Sequence, residues 1–255
     1  DWLKSSNPDE QQRNFRKIID YCKENNVNTI YLQVRSNSSV IFHSSYEPYS
    51  PYLTGTLGKS PQYDPLQFAI DEARGNGIQI FAWINTLRCF VPSSEFNTSN
   101  TDHLFNTKKE WIVKYLSSEN AQYWLDPGLP EVRDHLVNVI DEMLLNYNVD
   151  GIVLDFLRYP GRIFDDSFSY SAYGNNLDKD EYRRKNINQI LSSLNSLVRK
   201  KYSETKICVT PIGMNSSLEL TNGGDGYRQF YQDVKTWVNS GWVDYLFPQI
   251  YWDTQ

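Results

Sequence analysis

Five short, nearly continuous apolar runs alternate along the chain with segments whose apolar residues recur at three- and four-residue spacing. An apolar run of this length between turn residues indicates a buried strand, and the other spacing indicates an amphipathic helix. The predicted strands cover 27–35, 78–85, 151–155, 206–211 and 244–251. The predicted helices cover 8–24, 65–74, 132–143, 180–201 and 227–237, with a short helix near 108–116.

This regular helix–strand alternation predicts an α/β fold with a parallel sheet covered by helices. The sheet could be a doubly wound open sheet or a TIM (β/α)8-type barrel. No glycine-rich phosphate turn follows a predicted strand, which disfavours a dinucleotide-binding open sheet. Polar and aromatic residues recur at the carboxyl ends of four strands, where barrel enzymes build their sites, so the barrel is favoured.

We expect one catalytic domain over 1–255, with long loops at about 36–62 and 86–125. Since five strands are evident rather than eight, we expect that the first strand and the last two strands of the barrel are missing from this chain.

Composition narrows the classes of partner. The net charge is -6, and no block of Lys and Arg is present, which argues against a nucleic-acid partner. No apolar run approaches the roughly 20 residues of a membrane span. The chain is rich in aromatic residues, with 18 Tyr, 12 Phe and 7 Trp, many of them beside Asn, Ser and Asp. Aromatic faces with neighbouring amides and carboxylates suit sugars, although part of this richness belongs to the core.

Neither cysteine nor histidine spacing indicates a metal site. The three cysteines are far apart and are predicted to be small buried hydrophobic residues: Cys22, Cys89 and Cys208. The three histidines also lack ligand spacing: His43, His103 and His135. We therefore predict no metal and no cofactor.

The stretch 149–160 holds the strongest candidate chemistry. Its buried strand ends by presenting Asp155, Arg158 and Tyr159, a carboxylate, a guanidinium and a phenol. The alternative is an Asp that serves the following turn and an Arg that neutralises it. Similar polar and aromatic residues end three other strands, which favours an active site.

Several ordered motifs closely resemble bacterial glycosyl hydrolase-like family 10. The motifs are Y-L-Q-V-R at 31–35, E-P at 47–48, Y-L-T-G at 52–55, Y-D-P-L at 63–66, A-W-I-N at 82–85, P-G-L-P-E-V-R at 127–133, D-G-I-V-L-D at 150–155, R-Y-P at 158–160 and P-Q-I-Y-W at 248–252. The resemblance covers nearly the whole chain and implies a TIM-barrel glycosidase. Family members are linked to peptidoglycan glycan strands that lack stem peptides, so the resemblance implies a polysaccharide substrate of that kind.

Glycoside hydrolysis ordinarily uses two carboxyl groups. We predict that Asp155 is a catalytic carboxylate. The positive charge of the neighbouring Arg158 would favour the ionised form of Asp155. The second carboxylate stays open. Asp126 precedes a helix and could equally be a cap, Asp253 lies two residues beyond Tyr251, and the partner could also belong to the missing strands.

The remaining candidates would bind sugar hydroxyls or stack on sugar rings, with packing inside the barrel as the alternative for each. They are Gln33, Arg35, Trp83, Asn85, Arg158, Tyr159, Gln249, Tyr251 and Trp252. Asp150, by contrast, is predicted to make the turn into its strand at the opposite face.

The sequence thus predicts a glycoside hydrolase acting on a polysaccharide, with bacterial cell-wall glycan as one candidate. A non-catalytic carbohydrate-binding barrel is the alternative, because the second carboxylate is unassigned. An esterase is disfavoured, since no G-x-S-x-G elbow or metal-ligand cluster is present. We also expect an exported protein whose signal segment is not in the chain. Three N-x-S/T triplets, at Asn37, Asn97 and Asn215, are weak support for export.

Overall fold

Helices and strands alternate as the apolar pattern predicts. The computed structural model describes residues 2–92, 102–116, 120–216 and 225–251. The strands are β1 (Thr29–Ser36), β2 (Ser39–Val40), β3 (Gln79–Asn85), β4 (Arg88–Phe90), β5 (Ile112–Leu116), β6 (Ala121–Leu125), β7 (Gly151–Asp155), β8 (Lys206–Val209) and β9 (Tyr245–Leu246). The helices are α1 (Pro8–Glu24), α2 (Pro51–Thr54), α3 (Pro65–Arg74), α4 (Leu104–Thr107), α5 (Pro130–Asn146), α6 (Ser167–Tyr173), α7 (Lys179–Lys201) and α8 (Val234–Asn239).

The main sheet has six strands in the order β2-β1-β3-β7-β8-β9. The five predicted strands are its parallel members, and β2 pairs antiparallel to β1. The fold is therefore α/β with a mixed sheet. Helices α1 and α3 begin at the predicted residues, and a side chain caps each of them: Asn7 accepts from the amide of Glu10 in α1, and Asp64 accepts from the amide of Gln67 in α3.

Two of the predicted helices differ from the structure, one in the type of element and the other in where the helix begins. The segment near 108–116 is a 3₁₀ turn at Lys109–Trp111 followed by β5, which joins β4 and β6 in a second, antiparallel sheet. Its residues pair in register with β6, so cross-strand pairing outweighs the helical spacing. The helix predicted at 227–237 begins only at Val234, because Tyr231 has a left-handed backbone, with φ 62°, that interrupts a helix.

The main sheet is strongly curled. The rings of Tyr31 in β1 and Phe247, just after β9, lie 5.2 Å apart between centroids. In a flat sheet these strands would be separated by about 19 Å, since neighbouring strands lie about 4.8 Å apart. The concave face carries its own small apolar cluster of Phe81, Val153 and Cys208. The larger apolar core lies on the convex face beneath the helices.

A β-bulge in β1 decides where Arg35 points. Gln33 pairs with Trp83, but Arg35 rather than Val34 pairs with Ile84. One extra residue reverses the alternation of side chains, so Arg35 lies on the convex, helix-covered face. Its side chain is 1% exposed. The prediction that Arg35 contacts substrate in the cleft does not fit this position.

Arg35 instead forms a buried network with Glu47 and His135. Its Nε and Nη2 donate to both carboxylate oxygens of Glu47 at 2.8 and 2.6 Å, and His135 Nε2 lies 2.9 Å from Glu47 Oε1. Arg35 Nη1 also donates to the carbonyl oxygens of Asn85 and Thr86, just where β3 ends. Burial favours a raised pKa for Glu47, but the charge of Arg35 and the bond to His135 outweigh it and lower that pKa to about 2.

Other sequence predictions are confirmed within the described residues. The three cysteines are free and buried, and Asp150 accepts from the amide of Ile80 where β7 begins, at the opposite end from Asp155.

None of the described helices combines the length and the apolar composition that a membrane span requires.

The concave face allows a first test at Gly151. A Cβ at this position would overlap the ring of Phe81, which packs edge-on against Tyr31. We expect Gly151→Ala to lower the free energy of unfolding by about 1–3 kcal/mol, measured by urea denaturation. Gly75→Ala is the matched control, because Gly75 has an ordinary helical backbone and its nearest obstacle is the Asp71 carbonyl oxygen at 3.2 Å. Equal, small effects at both positions would contradict the packing described.

The buried network gives a second test. Glu47→Gln leaves the buried Arg35 without its counter-charge, so we expect a loss of about 3–5 kcal/mol in unfolding free energy at neutral pH. Because the folded-state pKa of Glu47 lies below its unfolded value, this stabilisation is full above about pH 4.5 and is lost as pH falls towards 2. The difference between wild type and variant should therefore shrink over that window.

Glu72→Gln is the control for this test, since Glu72 pairs with Arg16 at the surface and should contribute less than about 1 kcal/mol. A Glu47→Gln difference that does not change with pH would count against the charge of Glu47 as its source.

Candidate active site

Asp155 is the last residue of β7 and lies on the concave face of the curled sheet. It pairs in register with Asn85 at the end of β3, one strand away, and is two residues beyond the apolar Val153. Because side chains two residues apart share a face, the polar end of the sheet stands directly above the apolar cluster. Asp155 is 7% exposed, so its carboxylate is largely withdrawn from bulk water.

Four donors hold the carboxylate, and they are divided unequally between its two oxygens. Oδ1 accepts from the amide of Phe156 at 2.8 Å, from Thr210 Oγ1 at 2.7 Å and from Gln249 Nε2 at 3.0 Å. Oδ2 accepts from the indole N–H of Trp83 at 3.2 Å. Three of the four are N–H groups, which can only donate, so the arrangement complements a negatively charged carboxylate. Oδ1 is crowded, whereas Oδ2 keeps a lone pair for a further contact.

The donors come from different strand ends. Trp83 belongs to β3, Thr210 follows β8, and Gln249 follows β9. Gln249 also donates to the Thr210 carbonyl oxygen at 2.9 Å and accepts from the hydroxyl of the exposed Tyr251 at 3.3 Å. The predicted residues Trp83 and Gln249 are thus brought onto Asp155, and Tyr251 reaches it through Gln249.

The main chain at this point is also fixed. Thr86 donates its amide and its hydroxyl to the Asp155 carbonyl oxygen at 2.8 and 2.9 Å. The carbonyl of Thr86 is in turn bound by the buried Arg35. Arg35 therefore contributes to the site by positioning the end of β3 beside Asp155.

Phe156 turns the chain sharply after Asp155, with a left-handed φ of 53°. Its ring stands beneath two guanidinium groups, with Arg88 Cζ 3.9 Å and Arg158 Cζ 5.2 Å from the centroid. Arg158 also lies 5.5 Å from the ring of Trp124 and 4.7 Å from that of Phe230. Since this backbone conformation is costly for a bulky residue, the site keeps strain directly beside its carboxylate.

Arg158 does not form the expected direct ion pair. Among the ion pairs between described residues, none joins Arg158 to Asp155 within 4.0 Å. Burial lowers the pKa of Arg158 to about 10, while the charge of Asp155 opposes that shift and the charge of Arg88 adds to it. The two side chains therefore interact through space, and Arg158 is protonated at neutral pH.

Gln33 and Asn85 occupy the adjoining part of the concave face. Gln33 Nε2 donates to Asn85 Oδ1 at 3.4 Å, and Asn85 Nδ2 donates to Ser36 Oγ at 3.5 Å. Gln33, Ser36 and Trp83 line one end of a cavity of about 630 Å³ that follows the edge of β1. A volume of this size lies within the range of small-molecule pockets.

Two other candidates lie away from the carboxylate. Tyr159 is fully buried, packs between the rings of Phe164 and Tyr231, and accepts from Asn186 at 3.2 Å, which matches the packing alternative and not a substrate contact. Asp126 is 4% exposed and accepts from the amide of Gly128 at 2.8 Å.

This bond of Asp126 belongs to the turn that leads into α5. The alternative of a helix cap is wrong, because Leu129 is the N-cap residue of α5 and no side chain caps that helix. Burial raises the pKa of Asp126. Trp252 and Asp253 lie outside the described residues, so both stay predictions.

Sequence reasoning missed Thr210 and Arg88. Thr210 directly follows β8, and this position at a strand end was the available signal. Arg88 lies in β4, within a segment whose strands were not predicted. Within the described residues, no cluster of three His, Cys, Asp or Glu side chains could hold a metal ion.

Comparison with solved structures shows the type of fold. The glycoside hydrolase domain of PgaB (BpsB) from Bordetella bronchiseptica has a TM-score of 0.64 at 13% identity, covering 96% of this chain and 70% of that one. The α-L-fucosidase isoenzyme 2 from Paenibacillus thiaminolyticus has a TM-score of 0.57 at 14% identity, covering 80% of this chain and 30% of that one. At these identities the likeness concerns the fold alone.

Sequence comparison is more specific. Glycosyl hydrolase YngK of Bacillus subtilis is 31% identical over 95% of this chain and 49% of its own length. Glycosyl hydrolase DigH of Escherichia coli K12 is 30% identical over 95% of this chain and 58% of its own length. The chain therefore spans about half the length of the curated relatives it matches. The family model described as "Glycosyl hydrolase-like 10" matches residues 1–255, and the chain belongs to this glycosyl hydrolase-like family.

Proposed function

We propose that this chain carries the catalytic site of a glycoside hydrolase and that Asp155 is a catalytic carboxylate. The observation that carries the proposal is the unequal binding of its two oxygens. Three donors hold Oδ1, and Trp83 alone holds Oδ2. The donors hold the side chain in place and complement a charged carboxylate, while one oxygen keeps a lone pair for a substrate.

We further propose a TIM-type barrel as the complete architecture. The contact between Tyr31 and Phe247 supports it, because the five parallel strands must curl through about half of a circle to bring these two rings together. The polar residues also collect where the parallel strands end, the face on which barrel enzymes carry their sites.

In this proposal Asp155 meets the positive charge that develops on the sugar as the glycosidic bond breaks. Its ionised Oδ2 would act on the anomeric carbon directly, as a nucleophile, or through a water molecule, as a base. A separate acid must protonate the leaving oxygen. Asp126 is engaged in its turn, so Asp253, two residues beyond Tyr251, stays our candidate for this acid.

For the substrate we propose a polysaccharide, with peptide-free glycan strands of peptidoglycan as the first to be tested. Membership of the family and the aromatic content of the chain support a carbohydrate. Because such a glycan lies outside the cytoplasm, we also propose that the protein is exported.

The test is release of reducing ends from a panel of glycans that includes peptide-free peptidoglycan strands. We expect Asp155→Asn to reduce the rate about 10²- to 10⁴-fold, because the substituted amide carries no negative charge. Asp20→Asn is the matched control, since Asp20 is exposed on α1, and it should keep the full rate.

Equal release by wild type and Asp155→Asn would contradict the role of Asp155. Binding of a glycan by the wild type without release of reducing ends would instead favour the alternative, a non-catalytic carbohydrate-binding barrel.

A further inference from the structure

Arg88 and Arg158, the two guanidinium groups beside Asp155, have no acidic partner among the described residues. The ion pairs formed between those residues include neither arginine. In addition, the Nε atom of each is buried and has no hydrogen-bond acceptor in the described parts of the chain. A buried, unmatched donor of this kind is costly, and charged donors most of all.

The local charge is also unbalanced. Asp155 is the acidic group whose charge acts on both arginines, yet Oδ1 of that group is already occupied by three other donors. Burial lowers the pKa of Arg88 as well as that of Arg158, but both stay protonated at neutral pH. Among the described residues, two positive charges therefore face one negative charge, which leaves one positive charge in excess within that part of the site.

Aromatic rings explain how the arginines are held but do not supply this missing charge. The guanidinium carbon of Arg88 lies over the ring of Phe156, and that of Arg158 lies over the rings of Phe156, Trp124 and Phe230. The Nε atoms are buried, but each side chain as a whole is partly exposed, so its terminal Nη groups are the donors that a ligand can approach. The two Nη groups of one guanidinium match the two oxygens of a carboxylate.

We propose that Arg88 and Arg158 form a subsite for a carboxylate carried by the sugar that binds next to Asp155. The substrate is then an acidic glycan. This inference rests on the proposed function for its location beside a reacting sugar, and it adds the chemical class of that sugar. A monovalent carboxylate matches the single excess positive charge. A sulfate ester shares this anionic chemistry and is distinguished in the test.

The test compares binding of two glycans that differ in charge. The first probe is peptide-free peptidoglycan glycan, whose muramyl residues carry a free carboxylate. The second is the same glycan after its carboxylates have been reduced to alcohols. The Asp155→Asn variant is used so that neither probe is consumed. We expect about 10- to 100-fold weaker binding of the reduced glycan, because hydrogen bonds to a charged group are lost.

Substitution of the arginines provides the second arm. In the Asp155→Asn background, Arg158→Gln and Arg88→Gln should each weaken binding of the acidic glycan by a larger factor than binding of the reduced glycan. Arg16→Gln is the matched control, since Arg16 is an exposed residue of α1. Near-ultraviolet circular dichroism verifies that each variant is folded. The comparison of the two glycans needs no arginine substitution and therefore decides the matter even if a variant fails to fold.

The outcomes separate this inference from the proposed function. Equal binding of both glycans, or binding of neither, would overturn the carboxylate subsite. Tighter binding of a third probe, the reduced glycan carrying sulfate esters, than of the glycan with free carboxylates would overturn it as well. Hydrolysis of the glycan panel by the wild type would still support the proposed function in those cases. Charge-dependent binding without hydrolysis by the wild type would support the subsite and count against the proposed reaction.

Discussion

The curl of the parallel sheet is the constraint on which the rest of the structure depends. It brings residues from β3 and from the segments after β8 and β9 onto one carboxylate at the end of β7. In a flat sheet, Gln249 would be two strands away from Asp155, about 10 Å, and could not bind it so directly. The ring contact between Tyr31 and Phe247 shows that the curl continues across the whole parallel sheet.

The same geometry separates apolar from polar residues on the concave face. The lower part is filled by the side chains of Phe81, Val153 and Cys208. The polar residues lie nearer the carboxyl ends of the strands: Asp155 is two residues beyond Val153, Thr210 is two residues beyond Cys208, and Asn85 ends β3. A carboxylate above an apolar floor interacts more strongly with nearby charges than one in water. Support for the site comes from the convex side, where the buried Arg35–Glu47 pair holds the carbonyl groups that end β3.

The sequence predicted the features that depend on periodicity and on chain order. Those signals predict the five parallel strands, the starts of α1 and α3, and the placement of Asp155 with Trp83 and Gln249. The sequence predicted that Arg35 faces the cleft, but a bulge of one residue in β1 turns its side chain to the convex face. The pattern of apolar residues does not reveal this bulge.

Other residues depended on tertiary contacts that local patterns do not contain. Tyr159 follows the left-handed turn at Phe156, which sends it into the core rather than the cleft. Arg88 belongs to an antiparallel sheet within a segment where only a short helix had been predicted. Its approach to Asp155 could not be deduced from spacing along the chain.

The most direct test of the central role of Asp155 is a crystal structure of the Asp155→Asn variant with a bound oligosaccharide. We expect the anomeric carbon of one sugar, or a water molecule next to it, within about 3.5 Å of the side chain at position 155, on the side of the former Oδ2. An oligosaccharide that binds the protein without approaching this side chain would contradict the account.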